Sequence, residues 1–168
     1  MDAGLLIGRL VLGGLMAGHG AQKLFGWFGG YGIAGTAGYM EQLGFRPGRL
    51  FATTAAAAEV VSGVLVALGL FGPIGPAVML SVMIVAAVSV HWPHGVFAMN
   101  NGIELPLLYG TAGAALALTG PGRLSLDALL GLTSLWTPGF AWTAIGIAII
   151  AGALNLAARR PAVAAATA

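Results

Sequence analysis

Six ionisable side chains lie within the hydrophobic stretches of this chain, in which only 7% of the residues are charged. Four of them, two histidines and two glutamates, belong to types that exchange protons in enzymes and transporters. An ionised side chain in an apolar environment costs free energy, so each of the six needs a partner or a use. The six residues are Arg9, His19, Lys23, Glu59, His91 and Glu104.

Three interpretations fit these residue types. A neutral histidine or a lysine can donate a hydrogen bond to a quinone carbonyl while a carboxylate exchanges protons, which suits an apolar, planar substrate that arrives through lipid. Two histidines and two carboxylates, His19, His91, Glu59 and Glu104, could instead form a metal site. His19 and His91 are not related to each other by an HxxH or HxxxH spacing, so we expect no metal. A set of interhelical hydrogen bonds that only fixes the bundle is the third interpretation.

The composition indicates where these residues must act. Hydrophobic residues make up 58% of the 168 residues, and the mean hydropathy is +0.94, as in polytopic membrane proteins. The chain contains no cysteine, which excludes a thiol relay within it and haem attachment through CxxCH. The net charge of +2 comes without a basic stripe interleaved with aromatic residues, so we expect contact with membrane lipid and no nucleic acid.

Five hydrophobic stretches are candidates for transmembrane helices, at residues 5–25, 50–70, 74–90, 104–119 and 140–157. At 1.5 Å per residue the longer stretches reach about 30 Å, the thickness of a hydrocarbon core. The expected fold is therefore all-α, an antiparallel four-helix transmembrane bundle with a fifth C-terminal transmembrane helix. Residues 71–73 predict a tight hairpin, residues 36–43 a short interfacial helix, and the spacing of Gly4 and Gly8 a close helix contact.

Helical rise places five of the six ionisable residues in one half of this bundle. His19 and Lys23 are four residues apart and share a face at the end of the first span. The second span runs in the opposite direction, so Glu59 lies about 14 Å in from the same end, near the middle of the bilayer. His91 ends the third span and Glu104 begins the fourth, again at that end. These five residues are predicted to form a substrate or quinone pocket.

Arg9 is the exception, because it lies about one turn inside the opposite end of the first span. A single arginine near the end of a span can extend its guanidinium toward water and serve the framework alone. Its nearest candidate counter-ion is Asp127, in the segment that follows the fourth span, and Glu59 is a deeper alternative. We expect Arg9 and Asp127 to form a structural ion pair.

The distribution of lysine and arginine predicts the orientation in the membrane. With five spans, one side collects five cations and the other holds only Arg123 outside a span. The positive-inside rule then places the first loop and the C-terminus in the cytoplasm and the N-terminus outside. The five cations on the cytoplasmic side are Lys23, Arg46, Arg49, Arg159 and Arg160.

Four motifs occur in a fixed order along the chain: RLVLGG at 9–14, HGAQKLFG at 19–26, Glu59 with Gly63, and GPGRLSLD at 120–127. In this order they resemble the DoxX family, small bacterial membrane proteins with a four-helix core that are related to the DoxD subunit of thiosulfate:quinone oxidoreductase. The resemblance covers about residues 4–132. It implies a DoxX-like four-helix domain at 1–132 and an additional helix and tail at 133–168. The matched polar positions are Arg9, His19, Lys23, Glu59 and Asp127, whereas His91 and Glu104 match loosely.

The resemblance implies a redox-associated role in the bacterial cytoplasmic membrane. We expect a membrane subunit of a redox complex whose pocket takes a quinone or a similar apolar substrate, with no cofactor of its own. Since the chain carries no redox centre, whether it is an enzyme component stays open. The alternative is a non-catalytic anchor that recruits soluble redox partners through residues 26–49. A small transporter is a weaker alternative, because it would have to form a homo-oligomer and no inverted repeat is visible.

Overall fold

The computed structural model describes residues 2–160, and within them the secondary structure is helical. The main helices are α1 (Asp2–Phe25), α2 (Gly32–Gln42), α3 (Gly48–Leu68), α4 (Ile74–Ala86), α5 (Glu104–Thr119), α6 (Leu126–Leu129) and α7 (Pro138–Ala157). A π-helical turn at Ala87–His91 and a 3₁₀ turn at Trp92–His94 extend α4. The predicted all-α fold is confirmed.

Four helical segments between residues 2 and 160 are long and apolar enough to cross a membrane. They are α1, α3, α7 and the continuous stretch Ile74–His94. The predicted fourth span is present as α5, but its 16 residues rise about 24 Å, less than the roughly 30 Å of a hydrocarbon core. The protein is therefore a multi-pass membrane protein in which one of the five predicted spans is shorter than a full crossing.

Helices α1, α3, α4 and α5 share one hydrophobic core. Its buried residues are Met16, Val66, Met79, Met83 and Leu116. Helix α7 packs on the outside of α4 through small side chains of both helices, Ala77, Ala144 and Ala148, and also contacts α5. The proposed domain boundary at residue 132 stays a prediction, and part of its second segment, residues 161–168, lies outside the described residues.

The most extensive helix contact is between α1 and α3, and glycine makes it possible. A Cβ at Gly13 would overlap the backbone of Gly63 and Ala67, so the two backbones touch at this level. Such contacts between small residues give helices in lipid a large packing surface. The prediction that Gly4 and Gly8 make a close contact is wrong for the described structure, since a Cβ on either would meet no atom within 4 Å.

The bundle has two different ends. The end that carries Lys23, Arg46, Arg49 and Arg159 is called the basic end here, and the end at the α3–α4 turn, residues 69–73, is called the turn end. The hairpin predicted at residues 71–73 is present, and α2, which packs against α1 and α3 at the basic end, includes most of the predicted interfacial helix.

The C-terminal end of α7 is fastened to the loop between α2 and α3. Arg159 Nε donates to the carbonyl oxygen of Leu43 at 2.9 Å, and the backbone N–H of Arg160 donates to the carbonyl oxygen of Gly44 at 2.7 Å. The Arg159 guanidinium also lies 5.5 Å from the ring centroid of Phe45, within the range of a cation–π interaction. These contacts hold α7 close to the bundle at the basic end.

Candidate functional site

Lys23 and Glu59 form an ion pair between α1 and α3. Lys23 Nζ donates hydrogen bonds to both carboxylate oxygens of Glu59, at 2.8 Å to Oε1 and 2.6 Å to Oε2. Glu59 is 5% exposed, and the side chain of Lys23 is 29% exposed. Each ion neutralises the other, so the pair as a whole carries no net charge into the apolar interior.

The pair depends on the close approach of α1 and α3. Gly20, three residues before Lys23, has no space for a Cβ, because Ala56 and Val60 of α3 lie against it. Glu59 lies between Ala56 and Val60 in the sequence, on the same stretch of α3. With the backbones this close, the four-carbon stem of Lys23 can span from the end of α1 to the middle of α3.

A cavity of about 650 Å³ lies beside this ion pair. Its walls come from α2, α3, α4 and α7, and most of the lining side chains are apolar. Helices α3 and α7 each pack against α4 but make little contact with each other, and both contribute residues to the cavity lining. The polar side chains of the lining are Lys23, Thr36, Tyr39, Thr54, Glu59, Ser81, Ser89, His91 and Asn155.

Helix α7 supplies a wall that sequence reasoning missed. Its lining residues recur at the spacing of one helix face: Phe140, Ala144, Ile147, Ala148, Ala151 and Asn155. The face combines small alanines, which leave room, with one polar residue, Asn155, at the basic end. That combination within an otherwise apolar span is the signal that could have identified the wall, since it indicates a helix that faces something besides lipid.

His91 lines the cavity, but Glu104 does not. His91 Nδ1 lies 2.7 Å from the backbone oxygen of Asn101, which joins the end of the α4 segment to the loop before α5. Glu104 Oε2 accepts a hydrogen bond from the backbone N–H of Ala98 at 2.7 Å. Glu104 therefore folds back onto its own loop, where free N–H groups compete successfully for a carboxylate.

His19 also lies outside the cavity lining, contrary to the prediction. Its imidazole lies on the surface of α1, where Nδ1 is 3.1 Å from Oε1 of Gln22. The ring meets Tyr109 of α5 edge to face, with centroids 6.2 Å apart. The short histidine side chain stays beside α5, whereas the longer Lys23 reaches around to α3. The predicted five-residue pocket is thus reduced to Lys23, Glu59 and His91.

Asp127 is the centre of a second polar cluster, at the turn end. It is completely buried, and its two carboxylate oxygens accept three hydrogen bonds. The backbone N–H of Phe71 donates to Oδ1 at 2.9 Å, the backbone N–H of Gly72 to Oδ2 at 2.7 Å, and Trp136 Nε1 to Oδ2 at 2.6 Å. Asp127 therefore fastens the segment after α5 to the α3–α4 turn.

Arg9 is buried in the same region but does not pair directly with Asp127. Its Nη2 donates to the backbone oxygen of Leu124, and Lys23–Glu59 is the ion pair found within residues 2–160. The predicted Arg9–Asp127 ion pair is therefore wrong for the described residues: Arg9 bonds to a backbone carbonyl, and the Asp127 carboxylate accepts from three N–H donors. Both residues are buried, at 2% and 0% exposure, and their role in the framework stays a prediction.

Metal binding finds no support in the described geometry. Within residues 2–160, no three histidine or acidic side chains lie close enough together to hold an ion. His19, His91 and Glu104, three of the four ligands considered from the sequence, make separate contacts on different elements.

Comparison with known proteins gives one match. The family model for DoxX matches residues 4–92, which include α1 to α4, the Lys23–Glu59 pair and His91. The GPGRLSLD segment and α5 to α7 lie beyond the matched residues. Comparisons with curated proteins and with solved structures gave no match. Since the match covers more than half of the chain, this membrane protein belongs to the DoxX family.

Proposed function

We propose that the cavity beside Lys23 and Glu59 binds a quinone, or a similar neutral apolar substrate, that enters from the lipid. The observation that carries this proposal is a self-neutralised ion pair on the wall of a largely apolar cavity lined by α3, α4 and α7. A cavity of about 650 Å³ falls within the range of small-molecule sites.

The charges of the site favour a neutral head group. Because Lys23 and Glu59 neutralise each other, a charged ligand would enter a region of low dielectric constant without a counter-ion. A quinone carbonyl needs only a hydrogen-bond donor. The Lys23 ammonium has three N–H groups, and Glu59 receives two hydrogen bonds from it. The remaining N–H is the donor that we assign to the ligand.

The role that we infer for this protein is to bind the quinone and to exchange protons with it. Its sequence has no cysteine, and among residues 2–160 no three histidine or acidic side chains lie close enough together to hold a metal ion. We therefore propose a membrane subunit whose quinone is reduced or oxidised by a partner protein that carries the redox group. Glu59 and His91, both in the cavity lining, are the residues to which we assign proton exchange with bound quinone.

A matched pair of substitutions tests the site. Ile147 lines the cavity and is 61% exposed, whereas Ile150, on the same helix and 60% exposed, does not line it. Ile147→Trp should weaken binding of a short-chain ubiquinone to the purified protein at least tenfold, while Ile150→Trp should change it less than twofold. Equal affinities of the two variants, or no ubiquinone binding to the wild-type protein, would refute the proposal.

A non-catalytic anchor is the second candidate, and exposed aromatic side chains at the basic end favour it. Phe28 and Tyr31 follow α1, and Phe97 lies in the loop before α5, with exposures of 75%, 88% and 64%. Soluble redox proteins or a second copy of the chain are the partners proposed for this surface. Loss of co-purifying proteins on joint replacement of Phe28 and Tyr31 by serine, with quinone binding intact, would support the anchor.

We further propose the cytoplasmic membrane of a bacterium as the location, with the basic end on the cytoplasmic side. Because the chain has no cysteine, single introduced cysteines can report the topology without background labelling. Leu129 at the turn end is 78% exposed and Phe28 at the basic end 75%. A membrane-impermeant maleimide should label Leu129→Cys in intact cells and Phe28→Cys only after lysis. The reverse pattern would refute this orientation.

A further inference from the structure

The polar side chains of the cavity lining lie in its middle and at its basic end, whereas the lining at the turn end is apolar. The lining residues of α4 run from Ile74 at the turn end to His91 at the basic end. Ser81 is the first polar lining residue of α4 met from the turn end, seven residues and about 10 Å after Ile74. On α7 the lining is apolar from Phe140 onward until Asn155. The turn-end part of the cavity is thus an apolar groove about 10 Å long.

The ion pair lies at the inner boundary of this groove. Glu59 precedes the end of α3 at Leu68 by nine residues, which places it about 14 Å from the turn end by helical rise. Ile147 of α7 follows Phe140 by seven residues, about 10 Å, and so lies near the same level. A head group that bonds to Lys23 or Glu59 is therefore near mid-bilayer, with the apolar groove extending from it toward the turn end.

The lining at the basic end is mixed. Tyr39, His91 and Asn155 lie there among apolar residues that include Leu43 and Phe45, and the contacts of Arg159 and Arg160 with the α2–α3 loop hold α7 against the bundle. A phospholipid from the near leaflet would keep its phosphate at this end and would leave the Lys23–Glu59 pair unbonded. A ligand that lies wholly in the hydrocarbon fits the apolar lining of the turn end better.

We infer that the ligand is a long-chain amphiphile whose single hydrocarbon chain lies in the groove between α4 and α7 and points to the turn end. Its neutral head group bonds to the Lys23–Glu59 pair, so the assignment of the head rests on the proposed function. Val78 is half-buried and lies in the groove lining. It then determines the affinity for the ligand's hydrocarbon chain without contacting the ligand's head group.

Two substitutions on the α4 segment distinguish binding of the ligand's hydrocarbon chain from binding of its head group. Val78→Trp fills the groove, whereas Val88→Trp places the same side chain at an exposed position outside the lining. The probes are ubiquinones with one and with eight isoprene units, measured by equilibrium binding to the full chain. The wild-type protein and Val88→Trp should bind the longer ubiquinone at least tenfold more tightly. Val78→Trp should bind both alike, with its affinity for the shorter one within twofold of wild type.

A second probe keeps the inference separable from the proposed function. The methyl ester of cis-parinaric acid is a neutral, fluorescent linear chain, and it should bind the wild-type protein and Val88→Trp but not Val78→Trp. If neither ubiquinone binds while the ester behaves in this way, the quinone assignment fails and the groove stands. If ubiquinone binds regardless of chain length and the ester binds both variants equally, the groove fails and the quinone site stands. Val78→Phe, a smaller change, replaces Val78→Trp if the latter does not fold.

Discussion

The guanidinium of Arg9 fills the space that a Cβ at Gly69 would need. Gly69 ends α3 in the left-handed conformation, with φ of 63°, so an alanine there would meet both backbone strain and a buried side chain. We expect Gly69→Ala to lower the free energy of unfolding by about 2 kcal/mol or more. Thermal unfolding in detergent measures the loss.

Gly131 is the matched control for that substitution. It also has a positive φ, of 72°, but a Cβ there would meet no atom within 4 Å. Gly131→Ala should therefore cost only the strain of the left-handed conformation, about 1 kcal/mol. Similar losses of unfolding free energy in the two variants would mean that the buried position of the Arg9 guanidinium does not require the missing Cβ at Gly69.

The two members of the Lys23–Glu59 pair should differ when each is removed alone. Lys23→Met leaves a carboxylate that is 5% exposed, whereas Glu59→Leu leaves an ammonium that can extend toward the basic end. Breaking a buried pair costs about 3 kcal/mol when the remaining charge stays buried. We expect that loss for Lys23→Met and a smaller one for Glu59→Leu.

The double variant completes this thermodynamic cycle. Lys23→Met with Glu59→Leu should recover most of the stability that Lys23→Met loses, because no charge remains in the interior. Unfolding in detergent at constant pH gives all four values. Additive losses would show that the two side chains do not interact in the membrane-extracted protein.

Asp127 should contribute more to stability than any one of its donors. Asp127→Asn removes the charge that strengthens three hydrogen bonds and turns one acceptor into a donor, so we expect a loss of about 3 kcal/mol. Trp136→Phe removes a single donor and should cost about 1.5 kcal/mol. A loss for Asp127→Asn no larger than that for Trp136→Phe would contradict the central position of the carboxylate.

Two adjacent glycines of α1 test the contact with α3. A side chain at Gly13 would enter the backbone of α3, whereas a Cβ at Gly14 would meet no atom within 4 Å. Gly13→Leu should separate the helices, break the Lys23–Glu59 pair and weaken ubiquinone binding more than tenfold. Gly14→Leu should change stability and binding little. Binding that is equally insensitive to both substitutions would show that the site does not need this contact.

The depth of Lys23 and Glu59 could be predicted from the sequence, because helical rise in two antiparallel helices places both residues in the same half of the bundle. That the two side chains pair with each other was not predicted and is a finding of the structure. The depth of a residue does not determine how its helix is rotated about its axis, and so does not determine which neighbouring helix its side chain faces. His19 therefore shares the level of the site but lies beside Tyr109, and Glu104 is held by the N–H of Ala98 in its own loop.

The wall formed by α7 could not be derived in the same way. Its contacts join residues near 77 with residues near 144 and 148, and periodicity in one apolar helix does not identify a partner so distant in the sequence. The α1–α3 contact illustrates the same limit. The chain offers many glycines at helical spacing, and only tertiary packing distinguishes Gly13 and Gly20 from Gly4 and Gly8.

The hydrogen bonds from Phe71 and Gly72 to Asp127 span 56 and 55 residues of sequence. A ribosome makes the α3–α4 hairpin well before it makes the carboxylate, since synthesis proceeds from the N-terminus. The two N–H groups of the turn must therefore be hydrated, or bonded elsewhere, while α5 is still being inserted. Arrival of Asp127 then locks the hairpin, so biogenesis of the first half of the bundle is completed by a residue of the second half.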